Sequence, residues 1–237
     1  MKMPDVRDIA ERFLNLLFPR KCAVCHEITG YDRMLCDDCE AGLGVIGENC
    51  CEICGKPPDS CVCGVYPQRC EACACAVEYY EAAKDIISEF KFNGQSSLAR
   101  PMAKLMAQAV ELRFPDVRFD VIAAAPMRRR AVAKRGYNQS ELLARELSRL
   151  LGISWRKKAL VKLRDTAHQS SLGAKLRLVN LIGAIGVNRR FDPSGLTVLL
   201  VDDIATTGAT LNECAGALLS GGAKAVYAAV FAAAVLD

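Results

Sequence analysis

Apolar and polar positions alternate along this chain with three successive periods. At the start, Val6, Ile9, Phe13, Leu14 and Leu17 interleave with Asp5, Asp8, Glu11 and Arg12 at helical spacing, which predicts an amphipathic helix ending at Phe18-Pro19. A stretch without periodicity follows. Cys73, Cys75, Val77 and Tyr79 then alternate with Ala74, Ala76 and Glu78 in the period of two of a strand. From Ala82 onward helical and strand patterns take turns. Ala82 to Phe92 and Ser96 to Leu112 read as helices, Phe119 to Ala125 as a strand, and Gln139 to Leu151 as a helix. Thr197 to Val201 reads as a strongly apolar strand, Ala209 to Leu219 as a helix and Ala225 to Ala233 as a strand. This order predicts an α/β fold, a mostly parallel sheet flanked by helices.

The apolar stretches near Thr197 and Ala225 are strand-sized and interrupted by polar or turn residues, so no membrane insertion is expected. The charged, amphipathic N-terminus differs from the apolar run of a signal peptide, and a cytoplasmic location is expected. A length of 237 residues accommodates one main core and a small appendage. The net charge of +4 is too small to imply nucleic acid or a membrane surface as partner.

Cysteine usage changes the picture more. Of 13 cysteines, all but Cys214 fall between Cys22 and Cys75. An odd total, repeated Cys-x-x-Cys pairs and no export signal favour thiolate metal ligands over disulfides. Cys22-Ala-Val-Cys25 and Cys36-Asp-Asp-Cys39, ten residues apart, have the spacing of a zinc ribbon, in which two knuckles complete a site of four thiolates. His26 is a spare donor beside an already complete set. A second set opens at Cys51-Glu-Ile-Cys54-Gly-Lys. Either Cys61 with Cys63 or Cys70 with Cys73 can close it, and Cys50 can stand in for Cys51. Cys61 and Cys63 are preferred, because Cys73 and Cys75 fit the strand alternation and Cys70, Cys73 and Cys75 then read as buried thiols of the next unit. Two structural zinc sites are expected within residues 1–69, followed by the α/β unit over residues 70–237.

The segment richest in chemistry is Thr197-Val-Leu-Leu-Val-Asp-Asp-Ile-Ala-Thr-Thr-Gly-Ala-Thr210. An apolar strand of this kind is buried on both faces of a parallel sheet, and ligands bind at the carboxyl edge of such sheets. The N-H groups of Ala205 to Ala209, the hydroxyls of Thr206, Thr207 and Thr210 and the positive end of the next helix suit a phosphate monoester, while Gly208 permits close approach. Asp202 and Asp203 suit vicinal ribose hydroxyls and a hydrated Mg2+. Neither a Walker loop nor a dinucleotide fingerprint is present. A capped helix behind a solvated turn accounts for one threonine and leaves the acid pair and the other two unexplained.

Here the chain resembles the type I phosphoribosyltransferases, whose signature is an apolar strand, two acidic residues and a Thr-Thr-Gly loop. More narrowly, it resembles the ComF (GntX-like) family of competence-associated proteins. The matching motifs are Leu17-Phe18-Pro19, Lys91-Phe92-x-Gly94, Pro126, Arg135-Gly-Tyr-Asn-Gln139, Arg164-x-Thr166-x-x-Gln169, Arg177-x-x-Asn180 and the loop itself. The short Cys61-x-Cys63 pair and the extra cysteines depart from that pattern. The resemblance implies a zinc-binding N-terminal part and a phosphoribosyltransferase-like part, connected in some bacteria with uptake of single-stranded DNA. Phosphoribosyl pyrophosphate with Mg2+ is the implied ligand. Single-stranded DNA and competence proteins are the implied partners, and the acceptor of any transfer is open.

Two clusters remain. Pro126-Met-Arg-Arg-Arg130, Lys134 and Arg135 follow a strand, where Arg135 with Gly136 would clamp pyrophosphate or a DNA backbone; a solvated basic face explains the cluster equally well. Lys162 to Gly173, with Arg164, Thr166, His168 and Gln169, reads as a loop, either closing over a reactive centre or merely connecting elements.

Overall fold

The computed structural model describes residues 19, 21–30, 33–61, 63–65, 68–164 and 183–234. Four strands, β1 (Cys73–Glu78), β2 (Val121–Ala124), β5 (Thr197–Ala205) and β6 (Ala225–Ala233), form one sheet in the order β1-β6-β5-β2. Every pairing in it is parallel. Helices α2 (Glu81–Phe92), α3 (Ala99–Arg113), α4 (Arg129–Arg135), α5 (Gln139–Leu151) and α6 (Ala209–Ser220) connect them. A short helix α1 (Asp37–Ala41) lies in the cysteine-rich part, and β3 (Leu160–Lys162) pairs antiparallel with β4 (Ile185–Val187).

Alternation along the strands sorts side chains into two cores. Ala74, Ala76, Ile122, Ala124, Leu199, Val201, Ala229 and Phe231 pack with α2, α3 and α5 through Phe90, Met102, Met106, Leu143 and Leu147. The intervening Cys73, Cys75, Ala123, Val198, Leu200, Ala228 and Val230 pack with Leu211, Cys214 and Leu218 of α6. A central strand covered on both sides is therefore apolar throughout, as Thr197–Val201 is.

The cysteine-rich part is joined to this sheet rather than appended to it. Ile46 N-H donates to Ala76 O (3.0 Å), Glu78 N-H to Gly44 O (2.8 Å) and Cys73 N-H to Ile53 O (2.8 Å), so the ribbons pair with the edge of β1 that would otherwise stand open. Cys22, Met34, Leu35 and Leu43 share the core of α3 and β1, across the expected boundary at residue 69.

The helix expected over Gln139–Leu151 and the strand expected over Ala225–Ala233 have those bounds. One expected boundary is corrected. The strand expected to end at Val201 runs to Ala205, because β6 continues to pair with it through Ala205 and Ala233, so both aspartates stand in the ladder. The basic cluster follows β2 as expected, and it contains a helix, α4, closed by Gly136 at φ +88. The first helix and most of the segment Lys162 to Gly173, including Thr166, His168 and Gln169, lie outside the described residues; Lys162 itself ends β3.

Candidate phosphoribosyl site and zinc centres

The two cysteine sets assemble as tight clusters. Sulfurs of Cys22, Cys25, Cys36 and Cys39 lie within 4.8 Å of one another, and so do those of Cys51, Cys54, Cys61 and Cys63. Four sulfurs about 2.3 Å from a zinc ion sit roughly 3.8 Å apart in a tetrahedron. The Cys25–Cys36 distance is 3.5 Å, and Cys51–Cys63 and Cys54–Cys61 are each 3.8 Å, so the donor sets fit that ion in size and chemistry. Burial opposes ionisation of Cys22, yet N-H groups of Cys25, Cys36 and Val24 outweigh it and bring the thiol down to about 6. At Cys51 burial is likewise outweighed, by N-H groups of Cys54 and Ile53, which bring it to about 7. His26 belongs to neither set and occupies the left-handed position of the first knuckle, φ 62. Cys70, Cys73 and Cys75 are buried in the sheet core.

Beside the second cysteine set, the carboxyl ends of the strands meet three helix termini. Asp202 and Asp203 are 8% and 9% exposed. The Ser140 hydroxyl at the start of α5 donates to Asp202 Oδ1 (2.8 Å), which also accepts from Asp203 N-H (2.9 Å). Lys91 Nζ, from the last turn of α2, lies 2.8 Å from Asp203 Oδ2. Burial, with the neighbouring Asp203 charge added, raises the Asp202 carboxyl to about 7. The pair thus shares the compensating cation Lys91, and one of its two carboxyls is protonated readily near neutral pH.

Behind the acids the chain leaves the strand and enters α6. Gly208 stands at the helix N-cap with φ +78. Thr206 and Thr210 are partly exposed, whereas Thr207 is fully buried and its hydroxyl accepts from Ala209 N-H (3.3 Å). The expected set of donors is thereby divided. Thr207 offers its main chain rather than its hydroxyl, Ala205 still pairs with Ala233, and Ala209 N-H is already bonded. Among the described residues, the N-H groups of Thr206, Thr207 and Gly208 have no protein acceptor. Successive free N-H groups at a helix N-terminus form a concave anion site.

Arg135 and Gly136 border the same region. Arg135 Nη1 donates to Gln139 Oε1 (2.8 Å), and its guanidinium carbon lies 5.2 Å from the Phe92 ring centre. Tyr137 donates to Phe90 O (2.6 Å) and Asn138 both caps α5 and bonds Ala125 O (3.0 Å), which fixes this corner against α2 and β2. Gln139 is fully buried, with Nε2 unpartnered among the described residues. Sequence reasoning assigned no role to Lys91, Ser140 or Lys56. Lys91 and Gln139 lay within motifs that carried the family resemblance, a signal that was available; nothing local marked Ser140 or Lys56.

A parallel sheet with an acid pair and an acid-threonine-glycine loop at its carboxyl edge, joined to paired four-cysteine clusters, defines a phosphoribosyltransferase-fold protein carrying a double zinc ribbon. Comparison with known proteins agrees. Residues 13–64 match the family model of the double zinc ribbon domain, and residues 131–235 that of the phosphoribosyl transferase domain. The chain is 32% identical over 212 residues to the DNA utilization protein YhgH of Escherichia coli K12, covering 86% of each chain. It is 31% identical to competence protein F of Haemophilus influenzae, covering 75% of this chain and 87% of that one. It also matches adenine phosphoribosyltransferase of Saccharomyces cerevisiae at 18% identity, covering 56% of this chain and 68% of that one, with a TM-score of 0.38. The chain belongs to the ComF family of competence and DNA-utilization proteins. No helix among the described residues is long and apolar enough to cross a membrane.

Proposed function

We propose that the cleft at the carboxyl ends of β2 and β5 binds phosphoribosyl pyrophosphate with Mg2+, in the cytoplasm, and that this binding serves the uptake or processing of single-stranded DNA. The observation that carries the reading is the buried pair Asp202 and Asp203 leading directly into the N-H groups of Thr206, Thr207 and Gly208, which have no protein acceptor among the described residues. A phosphate-only site has no use for two buried carboxylates, whereas a ribose diol donates to both. In this reading the main chain of Thr206, Thr207 and Gly208 and the hydroxyls of Thr206 and Thr210 hold the 5-phosphate, with Ala205 and Ala209 shaping the loop. Asp202 and Asp203 take the hydroxyls, and Arg135 with Gly136 borders the pyrophosphate. Mg2+ would neutralise pyrophosphate charge between the ligand and the acid pair. Displacement of pyrophosphate at ribose carbon 1 is the reaction class that such a site serves. The residues up to 69 act as the zinc module and residues 70–237 as the ligand-binding unit.

A second reading makes the chain an adaptor for single-stranded DNA. Its support is the exposed basic face of α4, with Arg129, Arg130 and Lys134, beside the cleft, together with the names of the relatives. Calorimetry separates the two. Wild type should bind phosphoribosyl pyrophosphate with Mg2+, and Asp202→Ala/Asp203→Ala should bind it more than roughly tenfold more weakly, since each lost hydrogen bond to a charged acceptor is worth ~1.5 to 3 kcal/mol. Equal binding by the variant would show the site to be misplaced. Binding of single-stranded DNA without any binding of the phosphoribosyl ligand would favour the adaptor.

A further inference from the structure

Lys56 is a lysine with almost no solvent exposure, 1%, yet it is not part of the cleft. It belongs to the second ribbon, two residues beyond Cys54. Its carbonyl accepts from Cys51 N-H (2.8 Å), and Gly55 N-H donates to Cys51 O (2.9 Å), so the lysine backbone is held in the turn that also sets the first two sulfurs of the second cysteine set. That turn is pressed against the sheet. Gly55 has φ +68, and a Cβ there would fall 2.1 Å from Cys73 O. The side chain then crosses from the ribbon to the main domain, where Nζ donates to the carbonyls of Thr206 and Ala234. Ala234 N-H in turn bonds Ala205 O (2.8 Å), so both carbonyls sit where β5 and β6 end.

The consequence follows from peptide geometry. In a trans peptide the carbonyl of one residue and the N-H of the next point in opposite directions. Drawing the Thr206 carbonyl toward the ribbon turns the Thr207 N-H away from it, and this is one of the three loop N-H groups without a protein acceptor among the described residues. The other side of the loop is also braced from the ribbon end of the chain. A Cβ on Gly208 would meet Gln68 Oε1 at 2.6 Å, and the void left between Ile53, Lys56, Gln68, Gly208 and Leu211 is only about 10 Å3. A contact so closely filled passes displacement on instead of absorbing it.

The metal enters through the turn. The two hydrogen bonds that fix the Lys56 backbone close the knuckle carrying Cys51 and Cys54, both of which belong to the second cysteine set. An ion held by that set would lock the knuckle, since a structural zinc supplies much of a small module's folding energy, and its loss would free the lysine along with the turn. Two neutral carbonyls do not compensate a buried ammonium, so a freed Lys56 returns to water instead of keeping its place.

We propose that Lys56 is a positioning residue that couples the second zinc centre to the phosphate loop, setting the Thr206–Thr207 peptide for ligand binding only while that centre is filled. The part concerning ligand rests on the proposed phosphoribosyl site; the coupling itself does not. The coupling is reciprocal, since a ligand that selects the braced loop must also hold the second zinc more tightly.

The test uses the full zinc-loaded chain and Lys56→Met, which keeps the packing and removes the donors. Metal analysis first establishes that the variant retains two zinc ions. Amide hydrogen exchange of the peptide spanning β5 and the start of α6 is then followed with and without partial chelation. In wild type, loss of the second zinc should speed exchange in this peptide severalfold. In Lys56→Met exchange should already be fast and indifferent to chelation. Phosphoribosyl pyrophosphate with Mg2+ should bind the variant about tenfold more weakly. In the cobalt-loaded wild type it should shift the thiolate-to-cobalt absorption, and in the variant it should not. If Lys56→Met loses zinc, wild type alone still decides, because the ligand must slow metal release from the second site and not the first. Identical exchange in both proteins, or a ligand that binds yet leaves both metal sites equally labile, overturns the proposal. Zinc-dependent exchange without ligand binding would refute the phosphoribosyl reading and leave the coupling standing.

Discussion

Replacing Asp202 by asparagine should make the protein more stable, and by an amount that grows with pH. The amide that replaces the carboxyl would preserve the shape and still accept from Ser140 Oγ and Asp203 N-H, so the perturbation is confined to charge. In the wild type, burial and the adjacent Asp203 raise the Asp202 carboxyl from 3.8 to about 7. The folded chain therefore binds a proton that the unfolded chain has released, from about pH 4 to pH 7, and stability falls as pH rises through that window. At about 1.36 kcal/mol per pH unit, roughly two units between pH 5 and full ionisation correspond to about 2.5 kcal/mol lost. The variant carries no such ionisation. Protonation of zinc thiolates contributes to both proteins alike and cancels in the difference, because the cysteine sets share no partner with Asp202. Urea unfolding of both proteins at pH 5, 6.5 and 8 gives the comparison. The stability advantage of Asp202→Asn should widen by about 2 to 3 kcal/mol across the series. Parallel curves would refute the claim that Asp202 is held uncomfortably as an anion, and with it the view that the cleft stores a charge awaiting a ligand.

Gly208→Val places a branched side chain at φ +78 and a Cβ 2.6 Å from Gln68 Oε1; it should cost at least about 1 to 2 kcal/mol in urea unfolding and abolish calorimetric binding of phosphoribosyl pyrophosphate. Unchanged binding would mean that the phosphate lies elsewhere. Metal analysis should find two zinc ions per chain, falling to one in Cys36→Ser and in Cys51→Ser, while Cys70→Ser and Cys73→Ser keep both. Loss of zinc in either of the last two would reassign the second centre.

The order of helices and strands, the two cysteine sets and the acid-threonine loop were legible in the sequence, because each rests on neighbours close along the chain. Periodicity marks Gln139–Leu151 as a helix and Ala225–Ala233 as a strand whatever surrounds them. Knuckle spacing brings sulfurs together through local turns. Where β5 ends was not legible, since the ladder from Asp202 to Ala205 exists only because β6 is long enough to pair with it. Nor was the inward turn of Thr207, a choice between two hydroxyls in adjacent positions that packing against the sheet makes. The partners of the acids come from far along the chain: Lys91 from the end of α2 and Ser140 from the start of α5. Lys56 reaches Thr206 across 150 residues. A lysine beside a zinc knuckle looks like any surface lysine until the ribbon docks on the edge of β1. Local free energies select elements and turns; the burial of a charge and the carbonyls that receive it are settled only when distant segments close on the same space.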